Sequence, residues 1–149
     1  MIPQISQAPG VVQLVLNFLQ VLEQQGFTGD TATSYADRLT MATDNSVYQL
    51  LPDAILFPRS TADVALLARL AAEPRFQSLI FTPRGGGTGT NGQALNAGII
   101  VDMSRYMNRI IEINPEEGWV RVEAGVIKDQ LNQFLKPYGY FFAPELSTS

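Results

Sequence analysis

The N-terminal stretch from Val11 to Gln25 alternates apolar and polar residues with the period of a helix. Apolar residues recur every three or four positions along one side, and glutamine or asparagine occupies the other side; the apolar positions are Val11, Val15, Phe18 and Leu22. This spacing predicts an amphipathic helix that ends at Gly26 and packs on the rest of the fold. Binding of a partner through the same apolar face is the alternative.

Apolar runs and helical spacing alternate from residue 53 onward, whereas residues 27–51 have no clear period and predict loop with short helical turns. Ser60 and Asp63 predict a helix cap, and Pro74 ends that helix. Strands are predicted at 54–57, 79–81, 98–102, 109–113, 119–123 and 140–142, with a second helix at 128–136. The order predicts an α+β fold, a small mixed sheet flanked by helices, with an N-terminal helical leader over residues 1–50 and a subdomain over residues 51–149.

Residues 82–93 interrupt this pattern, because five of the twelve are glycines and no side chain among them is suited to a core. Glycine reaches positive φ and lets another group approach the backbone, so consecutive N–H groups can face a single anion. The stretch therefore predicts a phosphate-binding loop. A flexible hairpin tip is the alternative, but such tips seldom interleave arginine, threonine and asparagine between two well-patterned strands.

Two well-known phosphate loops do not fit these residues. The nucleotide-triphosphate P-loop needs a lysine after its last glycine, and none is present. The dinucleotide fingerprint G-x-G-x-x-G matches formally at Gly87, Gly89 and Gly92, but only residues 93–97 separate it from the next strand, too few for the helix that holds a pyrophosphate. A strand–loop–strand cradle remains, in which glycine amides and the hydroxyls of Thr88 and Thr90 bind the phosphates.

The same residues resemble a known family, the flavoproteins with an FAD-binding domain of the vanillyl-alcohol-oxidase or p-cresol-methylhydroxylase (PCMH) type. Residues 84–93 resemble the pyrophosphate loop, residues 54–64 the opening strand and helix, and residues 123–126 and 143–149 two further cofactor-contacting segments. The likeness covers about residues 52–149. It implies that FAD contacts Pro58, Arg84, Gly85, Gly86, Gly87, Thr88, Gly89, Thr90, Asn91, Gly92, Gln93, Gly125, Pro144, Ser147 and Thr148.

Within that family, the sequence is most similar to large bacterial FAD-linked D-2-hydroxy-acid dehydrogenases that carry a C-terminal iron–sulphur half. The resemblance implies an enzyme that oxidises D-2-hydroxyglutarate or D-lactate by hydride transfer to FAD and passes electrons to a separate acceptor. It also implies that this chain is a truncated first subdomain, which needs the remainder of its own chain, is inactive alone, and has its 4Fe-4S cluster only in the missing part. Another FAD enzyme with the same domain, or a non-catalytic module that binds a phosphorylated ligand or a partner, is the alternative.

Composition narrows these expectations further. The chain has 149 residues, 46% apolar and 16% charged, which is typical of an ordinary globular domain, and its net charge of −4 argues against nucleic-acid binding. No membrane span or signal peptide is predicted, so we expect a cytoplasmic protein. The sequence contains neither histidine nor cysteine. Any FAD is therefore expected to be non-covalent, and we assign no catalytic or metal-binding residue.

Several single residues allow two interpretations. The guanidinium of Arg84 either pairs with a phosphate or braces the loop through backbone carbonyls. Three carboxylates that close strands could bind a ribose but are more typical of solvated strand ends, and we assign none of them: Asp102, Glu112 and Glu123. Two aromatics could stack on a cofactor ring, but alternating strands favour a core position for both: Phe81 and Trp119. Arg38 and Tyr48 are interpreted as solvated or packing residues.

Overall fold

The structure, a computed structural model, describes residues 10–144. These residues contain four α-helices and six strands. The helices are α1 (Gln13–Gln24), α2 (Tyr35–Thr40), α3 (Thr61–Ala71) and α4 (Lys128–Leu135). The strands are β1 (Asp30–Ala32), β2 (Ala54–Phe57), β3 (Phe81–Arg84), β4 (Ile99–Asp102), β5 (Ile110–Asn114) and β6 (Trp119–Val122). Single 3₁₀ turns follow α3 at Pro74–Phe76 and α4 at Lys136–Tyr138.

The strands form two separate sheets. The larger sheet has the order β1-β2-β4-β3, with β2, β4 and β3 parallel and β1 antiparallel to β2. Strands β5 and β6, which correspond to the strands predicted at 109–113 and 119–123, form an antiparallel hairpin. The predicted α+β fold with a small mixed sheet is confirmed. Since β2, β4 and β3 are parallel, their carboxyl ends meet at one edge of the sheet, and the glycine-rich loop begins there.

The main core joins α1 and α3 to the larger sheet. Alternate residues of β2 and β4 point to one face, and they belong to a buried cluster with α1, α3 and the turn after α3: Val15, Phe18, Leu22, Ala54, Leu56, Leu67, Leu70, Phe76, Ile99 and Val101. The ring of Phe18 contacts that of Phe76 edge to face, with centroids 5.1 Å apart. The prediction that the N-terminal helix packs on the fold is thus confirmed. The boundary near residue 50 stays a prediction.

The opposite face of the sheet is covered by the segment that contains α2. Ile55 and Ile100 point to this face and are fully buried, and α2 packs against β2. Arg38 is only 3% exposed, and its guanidinium donates a hydrogen bond to the carbonyl oxygen of Pro52 at 3.3 Å. It also lies 3.8 Å from the carboxylate of Asp53. Of the two interpretations from the sequence, a solvated or a packing residue, the structure shows that Arg38 is a packing residue.

Helix α3 begins as its sequence predicted. The Ser60 hydroxyl accepts a hydrogen bond from the backbone N–H of Asp63 at 3.2 Å. The Asp63 carboxylate in turn accepts from the N–H groups of Thr28 and Arg59, at 2.8 and 2.9 Å. This second role was not visible in the sequence, because Thr28 is far from Asp63 along the chain. These hydrogen bonds connect the segment between α1 and β1 to the first turn of α3.

Three sequence predictions are wrong. Residues 140–142 form no strand, because they pair with no other strand within residues 10–144; Phe141 is 74% exposed. Trp119 is not a core residue: it is 36% exposed, and its indole N–H donates to Glu117 at 2.7 Å. Residues 82–84 belong to β3 and not to the loop, because they pair with β4. Phe81, by contrast, packs against the core as predicted, beside Phe18.

Candidate functional site

The candidate site is the segment of residues 85–98, which connects β3 to the neighbouring parallel strand β4. Parallel neighbours are usually joined by a crossover helix, but this connection contains only turns and bends. The sequence predicted that no helix would fit here, and the structure agrees. Gly87 and Gly92 have φ of +66° and +74°, a backbone region that residues with a side chain rarely adopt. The loop lies where ligands commonly bind in parallel sheets, beyond the carboxyl ends of the strands.

The backbone amides of this loop are the feature best suited to an anion. Within residues 10–144, none of the six N–H groups of residues 85–90 donates a hydrogen bond. Backbone N–H groups strongly favour a partner, so a run of them without an acceptor is a site that water or an anion completes. The side chains of Thr88 and Thr90 are exposed beside them and add two hydroxyl donors. These groups fit the diphosphate of a dinucleotide cofactor.

The far end of the loop is closed by its own side chains. The Gln93 side-chain oxygen accepts a hydrogen bond from the N–H of Asn91 at 3.0 Å. A Cβ added to Gly89 would collide with the Gln93 amide, and one added to Gly92 would lie 3.0 Å from the ring of Tyr48. Gly89 and Gly92 therefore let the Gln93 amide and the Tyr48 ring pack closely against the loop, and Gln93 acts as an internal brace. A direct cofactor contact of Gln93 stays a prediction.

Arg84 stands at the start of the loop and is bound to backbone carbonyls. Its guanidinium donates to the carbonyl oxygen of Thr43 at 2.8 Å and to that of Met41 at 3.3 Å. The Arg84 side chain is almost buried, at 8% exposed. A Cβ added to Gly87 would collide with the guanidinium. The structure thus shows the bracing interpretation of Arg84, and a contact between its side chain and a phosphate stays a prediction.

The remaining predicted residues lie in different environments. Gly125 donates its N–H to the Met107 carbonyl at 2.8 Å, and an added Cβ would collide with the Met103 carbonyl, so backbone packing explains this glycine. The Pro58 side chain is fully buried, whereas Pro144 is exposed at the last described position. Ser147 and Thr148 lie outside the described residues. For all of these, contact with FAD stays a prediction.

The strand-end carboxylates have partners within the protein. Glu123 accepts from two guanidinium nitrogens of Arg109, Nη2 at 2.7 Å and Nε at 3.1 Å, and also from the Arg109 backbone N–H at 2.9 Å. The hydrogen bonds from Arg109 hold the pKa of Glu123 below its ordinary value, against the opposing effect of burial. Asp102 accepts from the Ser104 N–H and hydroxyl and from the Arg105 N–H, at 2.8–3.1 Å. These contacts explain both residues structurally.

Residues 41–46 also contact the loop, and the sequence gave no signal for them. They lie in a stretch without periodicity, yet the N–H of Asn45 donates to the Gly87 carbonyl at 3.1 Å.

In residues 10–144 no group of three or more histidine, cysteine, aspartate or glutamate side chains is placed to hold a metal ion. No helix of the same residues combines the length and the apolarity that crossing a membrane requires.

Known proteins with similar sequences are dehydrogenases by name, and one is a glycolate oxidase subunit of Bacillus subtilis (strain 168). D-2-hydroxyglutarate dehydrogenase of Escherichia coli (strain K12) is 91% identical over 149 residues, which are the whole of this chain and 15% of that protein. The mitochondrial D-lactate dehydrogenase [cytochrome] of Kluyveromyces lactis is 34% identical over 95 residues, which are 61% of this chain and 16% of the relative. The chain thus spans about 15% of the length of the D-2-hydroxyglutarate dehydrogenases that it matches.

Solved structures share the fold. Alkyldihydroxyacetonephosphate synthase superposes with a TM-score of 0.73 at 20% identity, over 89% of this chain and 26% of its own. The 6-hydroxy-D-nicotine oxidase of Arthrobacter nicotinovorans gives a TM-score of 0.64 at 27% identity, over 76% of this chain and 25% of its own. The sequence model of the FAD binding domain family matches residues 52–149. With the glycine loop inside the matched residues and the fold shared, the chain belongs to the FAD binding domain family of the PCMH type.

Proposed function

We propose that this chain is the first FAD-binding subdomain of a larger dehydrogenase that oxidises a D-2-hydroxy acid, with D-2-hydroxyglutarate as the preferred substrate. The observation that carries the proposal is the run of six amides at residues 85–90 without an acceptor in the described chain. Four closely similar bacterial relatives named D-2-hydroxyglutarate dehydrogenase support the choice of substrate, the least similar of them at 62% identity.

In this proposal the loop binds the cofactor diphosphate mainly through neutral dipoles. The amides of residues 85–90 and the hydroxyls of Thr88 and Thr90 supply hydrogen bonds to the phosphate oxygens. Hydrogen bonds to an ionised acceptor are roughly twice as strong as neutral ones, so several amides together can replace a cationic side chain. When bound, FAD supplies the hydride acceptor for oxidation of the substrate. This chain contains no histidine or cysteine for covalent attachment, so its share of the contact is non-covalent.

Purification of the full-length protein tests the proposal. We expect it to carry about one FAD per chain, released intact by denaturation, and to reduce an artificial electron-accepting dye with D-2-hydroxyglutarate faster than with D-lactate. L-2-hydroxyglutarate is the matched control, and we expect no turnover with it. A flavin-free full-length protein would contradict the loop assignment. Bound FAD without turnover of any D-2-hydroxy acid would favour another FAD enzyme that uses the same domain.

The finer parts of the proposal concern the rest of the protein. We place a 4Fe-4S cluster, the substrate-binding groups and the contact with a separate electron acceptor in the part beyond this chain, and the enzyme in the cytoplasm. The 149 residues alone are then expected to give no substrate-dependent dye reduction, even with excess FAD. Iron and sulphide analysis of the full-length protein tests the cluster. Turnover by the 149 residues above a protein-free control would contradict the placement of the substrate-binding groups beyond this chain.

A further inference from the structure

Residues 41–46, which we name the strap, contact the glycine loop at three points. The Arg84 guanidinium donates to the strap carbonyls of Met41 and Thr43 where β3 ends. In the middle of the loop, the Gly87 carbonyl accepts from the strap N–H of Asn45 at 3.1 Å. At the far end, the strap residue Ser46 lies beside Gly92, where an added Cβ would be 3.8 Å from the Ser46 hydroxyl oxygen. These three points span the run of unpartnered amides at residues 85–90.

Arg84 is suited to hold two carbonyls at once. Its guanidinium is planar and carries several N–H donors in a fixed geometry, so a single side chain can bind two acceptors without rearrangement. Its backbone lies opposite Asp102 in the register of the parallel sheet, which fixes where the side chain begins. The strap carbonyls that it binds are 41 and 43 positions away along the chain. Arg84 therefore links the sheet, the loop and a distant segment.

The charge of Arg84 is also partly compensated. The Asp44 carboxylate accepts from the Ser46 N–H at 2.8 Å, and its other oxygen is buried without a hydrogen-bond partner among the described residues. Hydrogen bonding from Ser46 is the largest cause that lowers the pKa of Asp44, and the positive charge of Arg84 contributes in the same direction. Asp44 is thus an anion beside Arg84. An arginine that is buried, bonded to carbonyls and next to a carboxylate is a poor free cation for a diphosphate.

We infer that Arg84 is a positioning residue, which clamps the glycine loop to the strap and so holds the amides of residues 85–90 in their ligand-binding arrangement before FAD binds. The inference rests on the proposed function for the identity of the ligand. Its physical basis is preorganisation: a loop already fixed in its bound shape loses less conformational entropy on binding. Without the clamp, the glycines of the loop regain their wide range of backbone conformations.

The test uses the full-length protein after removal of its FAD, with variants Arg84→Lys, Arg84→Met and Asp44→Ala. Lysine keeps the charge but has a single nitrogen in place of the fork, so we expect both Arg84 variants to raise the Kd for FAD by about tenfold or more. Asp44→Ala removes the acceptor of the Ser46 N–H and should also weaken binding. The matched control is Arg75→Met, since Arg75 is exposed and its ion pair is with Glu73, away from the loop. Its Kd should equal that of the wild type.

Hydrogen–deuterium exchange of the FAD-free protein measures the clamp directly. The Asn45 amide is bonded to the Gly87 carbonyl, so peptides that cover residues 42–48 should exchange faster in Arg84→Lys and Arg84→Met than in the wild type. Arg75→Met should leave their exchange unchanged. Because this measurement needs no cofactor, it tests the clamp even if the full-length protein binds no FAD, an outcome that would contradict only the proposed function.

Three results would overturn the inference. Wild-type affinity in Arg84→Lys together with weak binding in Arg84→Met would make Arg84 a direct phosphate ligand whose charge is what counts. Tighter FAD binding in Asp44→Ala would mean that removal of a nearby negative charge outweighs any loss of positioning. Unchanged exchange of residues 42–48 in both Arg84 variants would mean that the strap is held without Arg84.

Discussion

The larger sheet and the hairpin differ in how completely their apolar residues are covered. Every residue of β2 and β4 is buried, because α1 and α3 pack on one face and the segment with α2 lies on the other. In the hairpin of β5 and β6, no residue reaches full burial. Both regions are built from β-branched and aromatic residues of similar kind. Apolar composition therefore predicts a strand, but burial depends on whether another element packs against it.

The C-terminal part of the described chain, like the hairpin, leaves many apolar side chains exposed. Large apolar side chains are exposed between residues 111 and 142: Ile111, Trp119, Val122, Ile127, Phe134, Tyr138, Tyr140, Phe141 and Phe142. Several of them line a cleft of about 120 Å³ between the hairpin and the segment after α4. Specific hydrogen bonds hold that segment in place, such as the one from the Tyr140 hydroxyl to the Pro115 carbonyl at 2.7 Å. The two regions should therefore respond differently to the same substitution.

The largest difference is expected for a charge placed on a phenylalanine. Phe18 is fully buried against Phe76 and Phe81, so Phe18→Asp should lower the melting temperature of the 149-residue chain by about 10 °C or more. Phe141→Asp is the control, because Phe141 is 74% exposed and should tolerate the charge with little change. Thermal unfolding followed by circular dichroism measures both. Equal shifts in the two variants would mean that the contrast between the regions is wrong.

The next comparison is between two glycines with positive φ, one in the glycine loop and one in the hairpin. Gly87→Val forces a β-branched residue to a φ of +66° and brings its Cβ into the Arg84 guanidinium, so the full-length protein should purify folded but lose most of its flavin. Gly118→Val in the hairpin has a similar φ of +71° with open space around the new Cβ, and it should keep its flavin.

Flavin absorbance per folded chain is the measurement for this pair. A full complement of flavin in Gly87→Val would show that the loop does not bind the diphosphate. Gly86→Val sharpens the result, since its added Cβ meets only the Thr88 methyl group at 3.5 Å in the protein. Any loss of flavin in this variant would therefore come from contact with the ligand itself.

The smallest effect is expected from the ion pair that closes the hairpin region. Glu123→Gln weakens the bidentate contact with Arg109 and should lower the melting temperature of the 149-residue chain by about 2–5 °C at neutral pH. Glu112→Gln is the matched control, because Glu112 and its partner Arg121 are both exposed and such pairs contribute little.

The pH dependence of this pair follows from the direction of its pKa shift. Arg109 holds the pKa of folded Glu123 below the ordinary value of 4.5. The stabilisation is therefore complete above that value and is lost as pH falls through the lower pKa of the folded state. The difference in melting temperature between the wild type and Glu123→Gln should be constant from pH 7 down to about 5 and shrink below about pH 4.5. A difference that grows toward low pH would contradict the assignment.

Local pattern in the sequence determined most of the elements and the position of the glycine loop. The helical period of residues 11–25, the cap at Ser60 and the glycines of residues 82–93 each act over a few neighbouring positions, where backbone preference and alternation of side chains are decisive. The absence of a helix after Gly92 followed from the small number of residues, 93–97, before the next predicted strand. These predictions survived because no distant contact opposes them.

Tertiary structure decided which groups meet and which surfaces are covered. Strand β4 inserts between β2 and β3, and Arg84 binds carbonyls 41 and 43 positions away, contacts that no local period encodes. The exposure of Trp119 and Phe141 likewise depends on the absence of a covering element among the described residues. Burial and hydrogen bonding between distant segments are properties of the packed chain, because each depends on where the other segment lies.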